Sequence, residues 1–384
     1  MIEILFLLLP LAFYSGWKAS KKNNVKQCVK ANRLADDYVK GVNYLLSEKP
    51  DKALELFIHH PDVDEYTAET YLLLGNMFRN RGEIERALRL HQSLIARSSL
   101  NKDQKAAVMF ALGEDYFAAG MLDRAESVFQ ELLTIMPSEV NACASLRQIY
   151  EQTHEWEKAI NVTCSICVKK KKLPALYQRR IAHYYCEIAD QEMKQGNLHR
   201  VEACLVKAHK HYKDLARVMV LQANLFERKQ DYKKAFKFYR KALACDARLL
   251  SYLFCEITKV AERIGRINEL KAVLFELYRQ DSSVLAYLLE LLKVDASDGR
   301  ATDFLVDDLK NKKLDIYSIR QAIDILQRKE LLSAEDETLS LIKQALDHYR
   351  QGKAAFQCQN CGYEMQEYLW RCPACFQWDK ISHA

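Results

Sequence analysis

The sequence predicts an all-α chain of repeated helical hairpins, led by an apolar segment and closed by a small metal-binding module. Three observations carry this. Small and aromatic residues recur at a fixed period through the middle of the chain. Two C-x-x-C pairs stand near the C-terminus. Glycine and proline are scarce, at 11 and 6 in 384 residues, which suits long helices joined by short turns.

Residues Ile2 to Trp17 are apolar apart from Glu3 and Ser15, and Lys18, Lys21, Lys22, Lys26 and Lys30 follow. A secretory signal places its positive charges before the apolar run, and no cleavage site is visible here. We read residues 1–17 as a transmembrane anchor and 18–34 as its basic juxtamembrane flank. Lysine asymmetry puts that flank, and the bulk of the chain, in the cytoplasm. A helix over 2–17 covers roughly 24 Å, short for a hydrocarbon core of about 30 Å. Pro10 would kink it. A membrane-surface or buried segment is the alternative. The five lysines either meet anionic headgroups or form a solvated flank.

The repeat runs over residues 35–282. One small or apolar position steps from Ala53 to Ala87, Ala125, Ala159, Val201, Ala235 and Leu270. The clearest unit carries Gly113, Tyr116, Gly120, Ala125, Phe129 and Pro137. A period near 34 with this spacing resembles the tetratricopeptide repeat, so the expected fold is a tetratricopeptide-like helical solenoid. Small residues let two antiparallel helices approach, and Tyr116 and Phe129 fill the space between hairpins. Asn80-Arg-Gly82-Glu and Ala119-Gly120-Met-Leu-Asp123 end helices. Each hairpin buries its apolar face only on its neighbours. The longer steps, Ala87 to Ala125 and Ala159 to Val201, call for extended helices or loops, and Lys169 to Lys172 in the second reads as a solvated loop. Residues 283–351 read as divergent hairpins capping the repeats, with a last helix from about Ala334 to Tyr349. Gly352 and Lys353 form the linker to the final module, 352–384.

That module holds Cys358, Cys361, Cys372 and Cys375. Each C-x-x-C turn aims two thiolates at one point, and four thiolates suit one Zn or Fe ion. Cys361-Gly362-Tyr363 and Cys372-Pro373-x-Cys375 resemble a rubredoxin-type knuckle pair. The segment is too short for much core, so metal binding must supply much of its folding free energy, on the order of 10 kcal/mol for a structural zinc site. Trp370, Phe376 and Trp378 pack over the metal or against a repeat helix.

The other eight of twelve cysteines lack a framework spacing, which fits a reducing compartment. Cys164-Ser-Ile-Cys167 reads as core packing inside a helix. His59-His60 and His209-x-His211 lack the spacing of a metal site and read as surface or groove residues. The net charge of +6 is small for this length, and Glu364 and Glu367 oppose Arg371 and Lys380 around the knuckles. Nucleic acid is therefore not the expected partner. No Walker A loop, H-E-x-x-H, nucleophile elbow or Rossmann fingerprint is present, and we expect no catalytic residues, no organic cofactor and no enzyme.

The order of anchor, basic flank, repeats and knuckle pair is similar to that of the lipopolysaccharide assembly protein B family. Met1-Ile-Glu-Ile-Leu-Phe-Leu-Leu-Leu-Pro10, Ala31-Asn-Arg-Leu34, Asp37-Tyr-Val39, Leu74-Gly-Asn76, Phe78-Arg79, Arg81-Gly-Glu83 and Trp370-x-Cys372-Pro373 carry the likeness. The resemblance implies a single-pass regulator in the inner membrane of a Gram-negative bacterium. It implies three partners: a membrane AAA+ zinc metalloprotease, the UDP-3-O-acyl-N-acetylglucosamine deacetylase that the protease degrades, and a lipopolysaccharide-sensing inner-membrane regulator. Homo-oligomers are also compatible with a repeat protein. The competing readings are a non-proteolytic scaffold for lipopolysaccharide assembly enzymes and a rubredoxin-like redox protein.

Overall fold

A computed structural model describes residues 18, 40, 44, 50–59, 65–97, 100–166, 174–279, 284–293, 319–320, 323–324, 327, 337–351 and 354–383. The expected anchor over 1–17, nearly all of the basic flank, His60, Cys167, the lysine run 169–172 and the linker Gly352-Lys353 lie outside them. No helix among the described residues is long and apolar enough to cross a membrane. The chain divides into two compact units, Met1–Lys171 and Lys172–Ala384.

The first unit is helical. Helix α1 (Pro50–His59) precedes three hairpins: α2 (Glu65–Asn80) with α3 (Ile84–Ile95), α4 (Lys102–Ala118) with α5 (Leu122–Ile135), and α6 (Val140–Gln152) with α7 (Trp156–Ser165). Consecutive hairpins pack on each other. The stepping position is closed to solvent at Ala87, Ala125 and Ala159. Opposite it, Gly75 and Gly113 leave no room for a side chain. A Cβ on Gly75 would lie 2.2 Å from the His91 ring, and one on Gly113 would lie 2.5 Å from the Phe129 ring. A buried polar clamp joins three of the helices. Asp115 on α4 accepts hydrogen bonds from Arg79 on α2 at 2.7 Å and lies 2.5 Å from His91 Nδ1 on α3.

The second unit continues the pattern. Helix α8 (Ala175–Gln195) pairs with α9 (Leu198–His211), α10 (Ala216–Arg228) with α11 (Tyr232–Cys245), and α12 (Leu250–Arg263) with α13 (Ile267–Tyr278). Val201, Ala235 and Leu270 are fully buried at the stepping position. The long step into this unit is absorbed partly by α8, which runs 21 residues. Helix α14 (Leu285–Lys293) adds to the core that α10–α13 share. Helix α15 (Glu337–Gln351) covers, among the described residues, the last helix expected from about Ala334 to Tyr349.

All six described hairpins turn in one way. The first helix ends on a left-handed residue: Gly82, Gly120, His154, Gly196, Gln230 and Gly265. The next residue then donates its backbone N–H to a carbonyl five positions back, as in Glu83 to Phe78, Met121 to Tyr116 and Glu155 to Tyr150. Asn197 to Glu192, Asp231 to Phe226 and Arg266 to Ala261 repeat it. This is the Schellman closure, which satisfies orphan carbonyls at a helix C-terminus. Successive left-handed residues stand 38, 34, 42, 34 and 35 positions apart. Those intervals match the steps of the buried small position from Ala87 onward.

The terminal module is not helical. Strand β1 (Phe356–Cys358) lies between β2 (Glu364–Met365) and β3 (Ile381–His383) in an antiparallel sheet. The all-α expectation therefore needs this small sheet added to it. One further correction concerns Cys164. Helix α7 ends at Ser165, one residue later, and Cys164 is exposed rather than packed in a core.

Candidate metal centre and its seat on the helices

The two knuckles are built alike. In the first, Cys358 N–H donates to the Tyr363 carbonyl, and Gly362 N–H donates to the Cys358 carbonyl. In the second, Cys372 N–H donates to the Gln377 carbonyl, and Phe376 N–H donates to the Cys372 carbonyl. The residue after each second cysteine is left-handed, with φ of 75° at Gly362 and 57° at Phe376. Glycine adopts that conformation freely, whereas Phe376 is held in it by the turn.

This geometry brings all four predicted ligands together. The Sγ atoms of Cys358, Cys361, Cys372 and Cys375 lie within 4.8 Å of one another. Cys358 to Cys375 is 3.7 Å and Cys361 to Cys372 is 3.6 Å. A tetrahedron with Zn–S bonds of about 2.3 Å has S···S edges of about 3.8 Å. The donor set therefore fits one metal ion. Cys358 and Cys372 are buried, and Cys361 is exposed at the rim. The thiols also divide electrically. Burial opposes ionisation of Cys375, but the Gln377 backbone N–H and neighbouring groups bring it down to about 7. Cys361 is raised to about 12: the Tyr363 backbone N–H lowers it, and burial with three adjacent thiols outweighs that. Four sulfurs this close cannot all ionise without a cation among them.

The module is seated on the helices of its own unit by residues beside the cysteines. Trp378 stacks on the His183 ring of α8, with centroids 4.6 Å apart, and meets Tyr184 edge-on at 6.3 Å. Tyr368 stacks on Tyr252 of α12 at 4.8 Å, and Trp370 meets the same ring edge-on at 6.2 Å. Arg217 of α10 sets its guanidinium over both tryptophans, 5.6 Å from Trp370 and 5.7 Å from Trp378. Its charge is balanced by Glu187 of α8 at 2.8 Å.

Asp379 is the polar centre of this seat. Its carboxylate accepts from His183 Nε2 at 2.7 Å and from Arg179 at 2.7 Å. His183 is closed to solvent, and Asp379 is nearly so. Burial lowers the His183 pKa and outweighs the opposing pull of Asp379. Burial alone would raise Asp379, but the hydrogen bond and charge of His183, with Arg179, hold its carboxyl below the ordinary range. His183 thus donates from Nε2 to the Asp379 carboxylate, and the Arg179 guanidinium shares the same acceptor. Sequence reasoning placed Trp370 and Trp378 against metal or helix, and the structure puts both on helices. It missed His183, Arg217 and Asp379, which carry no local motif. Of the other histidine pair, His209 is exposed and His211 is half-buried against Tyr185.

Fold and site define a class: a tetratricopeptide-type helical-hairpin protein with a four-cysteine knuckle module at its C-terminus. The tetratricopeptide repeat family matches residues 66–138, and the rubredoxin metal binding domain matches residues 356–382. The chain is 34% identical to lipopolysaccharide assembly protein B of Escherichia coli K12, covering 99% of this chain and 98% of that one. It is 30% identical to lipopolysaccharide assembly protein B of Haemophilus influenzae over the same shares. The chain belongs to the lipopolysaccharide assembly protein B family. A solved tetratricopeptide repeat protein from Parabacteroides merdae aligns at 14% identity and a TM-score of 0.35, covering 73% of this chain and 98% of that one.

Proposed function

We propose that this protein is a non-enzymatic regulator of lipopolysaccharide assembly that works as an adaptor for proteolysis. The observation that carries the reading is full-length similarity to proteins named for lipopolysaccharide assembly, at 34% identity over 99% of the chain. The proposed partners are a membrane-bound AAA+ zinc metalloprotease and its substrate, the UDP-3-O-acyl-N-acetylglucosamine deacetylase. A lipopolysaccharide-sensing inner-membrane protein restrains the pair. The proteolysis belongs to the partner, and this chain brings substrate and protease together.

The physics supports such a role. Stacked helical hairpins offer an extended surface for protein binding. The apolar segment 2–17, with lysines after it, would hold the chain in the inner membrane with its bulk in the cytoplasm. Confinement beside a membrane protease raises effective concentration without new contacts. In this reading the metal module supplies structure: Tyr368, Trp370 and Trp378 seat it on the helices.

The test is the half-life of the deacetylase in cells depleted of this protein. We expect a long-lived deacetylase on depletion and a short half-life restored by re-expression. An unchanged half-life would overturn the proteolytic adaptor and favour a scaffold that gathers assembly enzymes.

A further inference from the structure

We infer that the cleft between α11 and α13 is a docking site for an acidic, apolar-containing peptide segment of a protein partner. The cleft lies wholly in the second unit, has a volume of about 1040 Å³, and is walled by α11, the 3-10 turn Ala247–Leu249 and α13. That volume stands at the top of the usual range for ligand sites, about 300–1,000 Å³, and exceeds what an ion needs. It suits several residues of extended chain.

The lining is unbalanced in charge. Six basic residues face two acidic ones, Asp246 and Glu276. Three of the six are already engaged: Arg240 and Arg266 share Glu269, and Arg248 is paired with Asp246. Lys233, Lys237 and Lys241 are left without a carboxylate, with Lys241 Nζ 5.2 Å from the Phe238 ring centroid. They are exposed, they follow each other at i, i+4 and i+8 on α11, and no carboxylate among the described residues lies within ion-pair distance of them. A helix face of like charges at that spacing repels itself. Anionic side chains in the cleft would relieve that repulsion.

The floor is apolar. Half-buried Val273 and Leu277 give it accessible apolar surface, backed by core residues Phe236 and Leu243. A ligand that satisfies both parts alternates carboxylates with apolar side chains, as an acidic peptide does. A bilayer surface satisfies only the first part, because a flat array of headgroups cannot enter a cleft walled on three sides. The inference stands apart from the protease reading: it assigns a partner chemistry to a surface and would hold for a scaffold equally.

Exposed Cys245 lines the same cleft and provides a reporter. The experiment uses the full chain in zwitterionic-lipid nanodiscs, with a fluorescein-labelled octapeptide alternating Glu with Leu and Phe, its Lys-for-Glu counterpart, and, separately, phosphatidylglycerol vesicles. We expect the acidic peptide to bind with micromolar affinity, to weaken steeply with salt, and to slow alkylation of Cys245 several-fold. Combined Lys233→Gln, Lys237→Gln and Lys241→Gln should weaken binding at least tenfold at an unchanged melting temperature, since all three side chains are exposed. Equal binding of the Lys peptide, equal binding by the triple variant, or unprotected Cys245 would overturn the assignment. So would vesicle binding that depends on the three lysines while the acidic peptide does not bind.

Discussion

His154 and Gln230 occupy a backbone position that glycine fills in the other four described hairpins. A left-handed conformation costs an ordinary residue about 1–2 kcal/mol relative to its right-handed one, and glycine avoids most of that. Gln230→Gly should therefore raise stability by about 1 kcal/mol, read as a rise in the denaturation midpoint. His154→Gly should gain less, because it also loses the edge contact of His154 with Trp156 at 5.3 Å. The reverse change, Gly120→Ala, should cost a similar amount through backbone strain alone, since an added Cβ there meets nothing within 4 Å. Gly75→Ala differs in kind. Its new methyl would overlap the buried His91 ring that hydrogen-bonds Asp115, and overpacking of this sort costs about 1–3 kcal/mol. Equal melting curves for Gly75→Ala and Gly120→Ala would contradict this division between crowding and strain. Turns at Gly82 and Gly120 were legible in the sequence because glycine marks them. Those at His154 and Gln230 were visible only as a spacing, because no residue type announces them.

At the scale of elements, the metal module and the helices beneath it are predicted to lose stability together. Removing the metal, or changing Cys372 and Cys375 to Ser, withdraws free energy on the order of 10 kcal/mol from a module with little core of its own. Tyr368, Trp370 and Trp378 would then leave Tyr252, His183 and Arg217. We expect red-shifted tryptophan emission and a lower melting temperature for the second unit, and unchanged values of both would refute the coupling. The polar centre adds a pH dependence whose sign can be worked out. His183 has a folded pKa below its ordinary value, so the unfolded chain binds a proton first as pH drops past about 6.5. Asp379 also has a lowered folded pKa, so its contribution is present above about 3.9 and lost as pH falls through the folded value. Both make the seat weaker in acid. His183→Gln keeps a donor toward Asp379 and removes the titration, and it should flatten the stability profile between pH 7 and 5. Asp379→Ala should cost about 1–3 kcal/mol, chiefly because it leaves the buried His183 Nε2 donor without an acceptor, while the half-exposed Arg179 turns to water. The cysteine cluster was legible because its spacing is itself the chemistry. The seat was not, since His183 and Asp379 stand 196 positions apart and meet only through the fold.

For the whole molecule, the proposed role rests on where the chain is held as much as on what it binds. The repeat period was readable because each hairpin obeys the same local rule, a buried small residue and a closing turn 34 to 42 positions on. The proposed location rests instead on the apolar run before Lys18 and the lysines after it. If that run acts only as a tether, its sequence is replaceable while its presence is not. Deleting residues 1–18 should then leave a folded chain whose second unit melts as before, yet the deacetylase should become long-lived. An unrelated single-pass segment of the same orientation, joined ahead of Ala19, should restore the short half-life by restoring effective concentration at the membrane. Full regulation by the truncated chain would remove colocalisation from the mechanism. Failure of the replacement segment, with the protein present in the membrane, would assign the native run a specific contact with a partner inside the bilayer. Deacetylase half-life and membrane fractionation, measured on the same three strains, separate these outcomes.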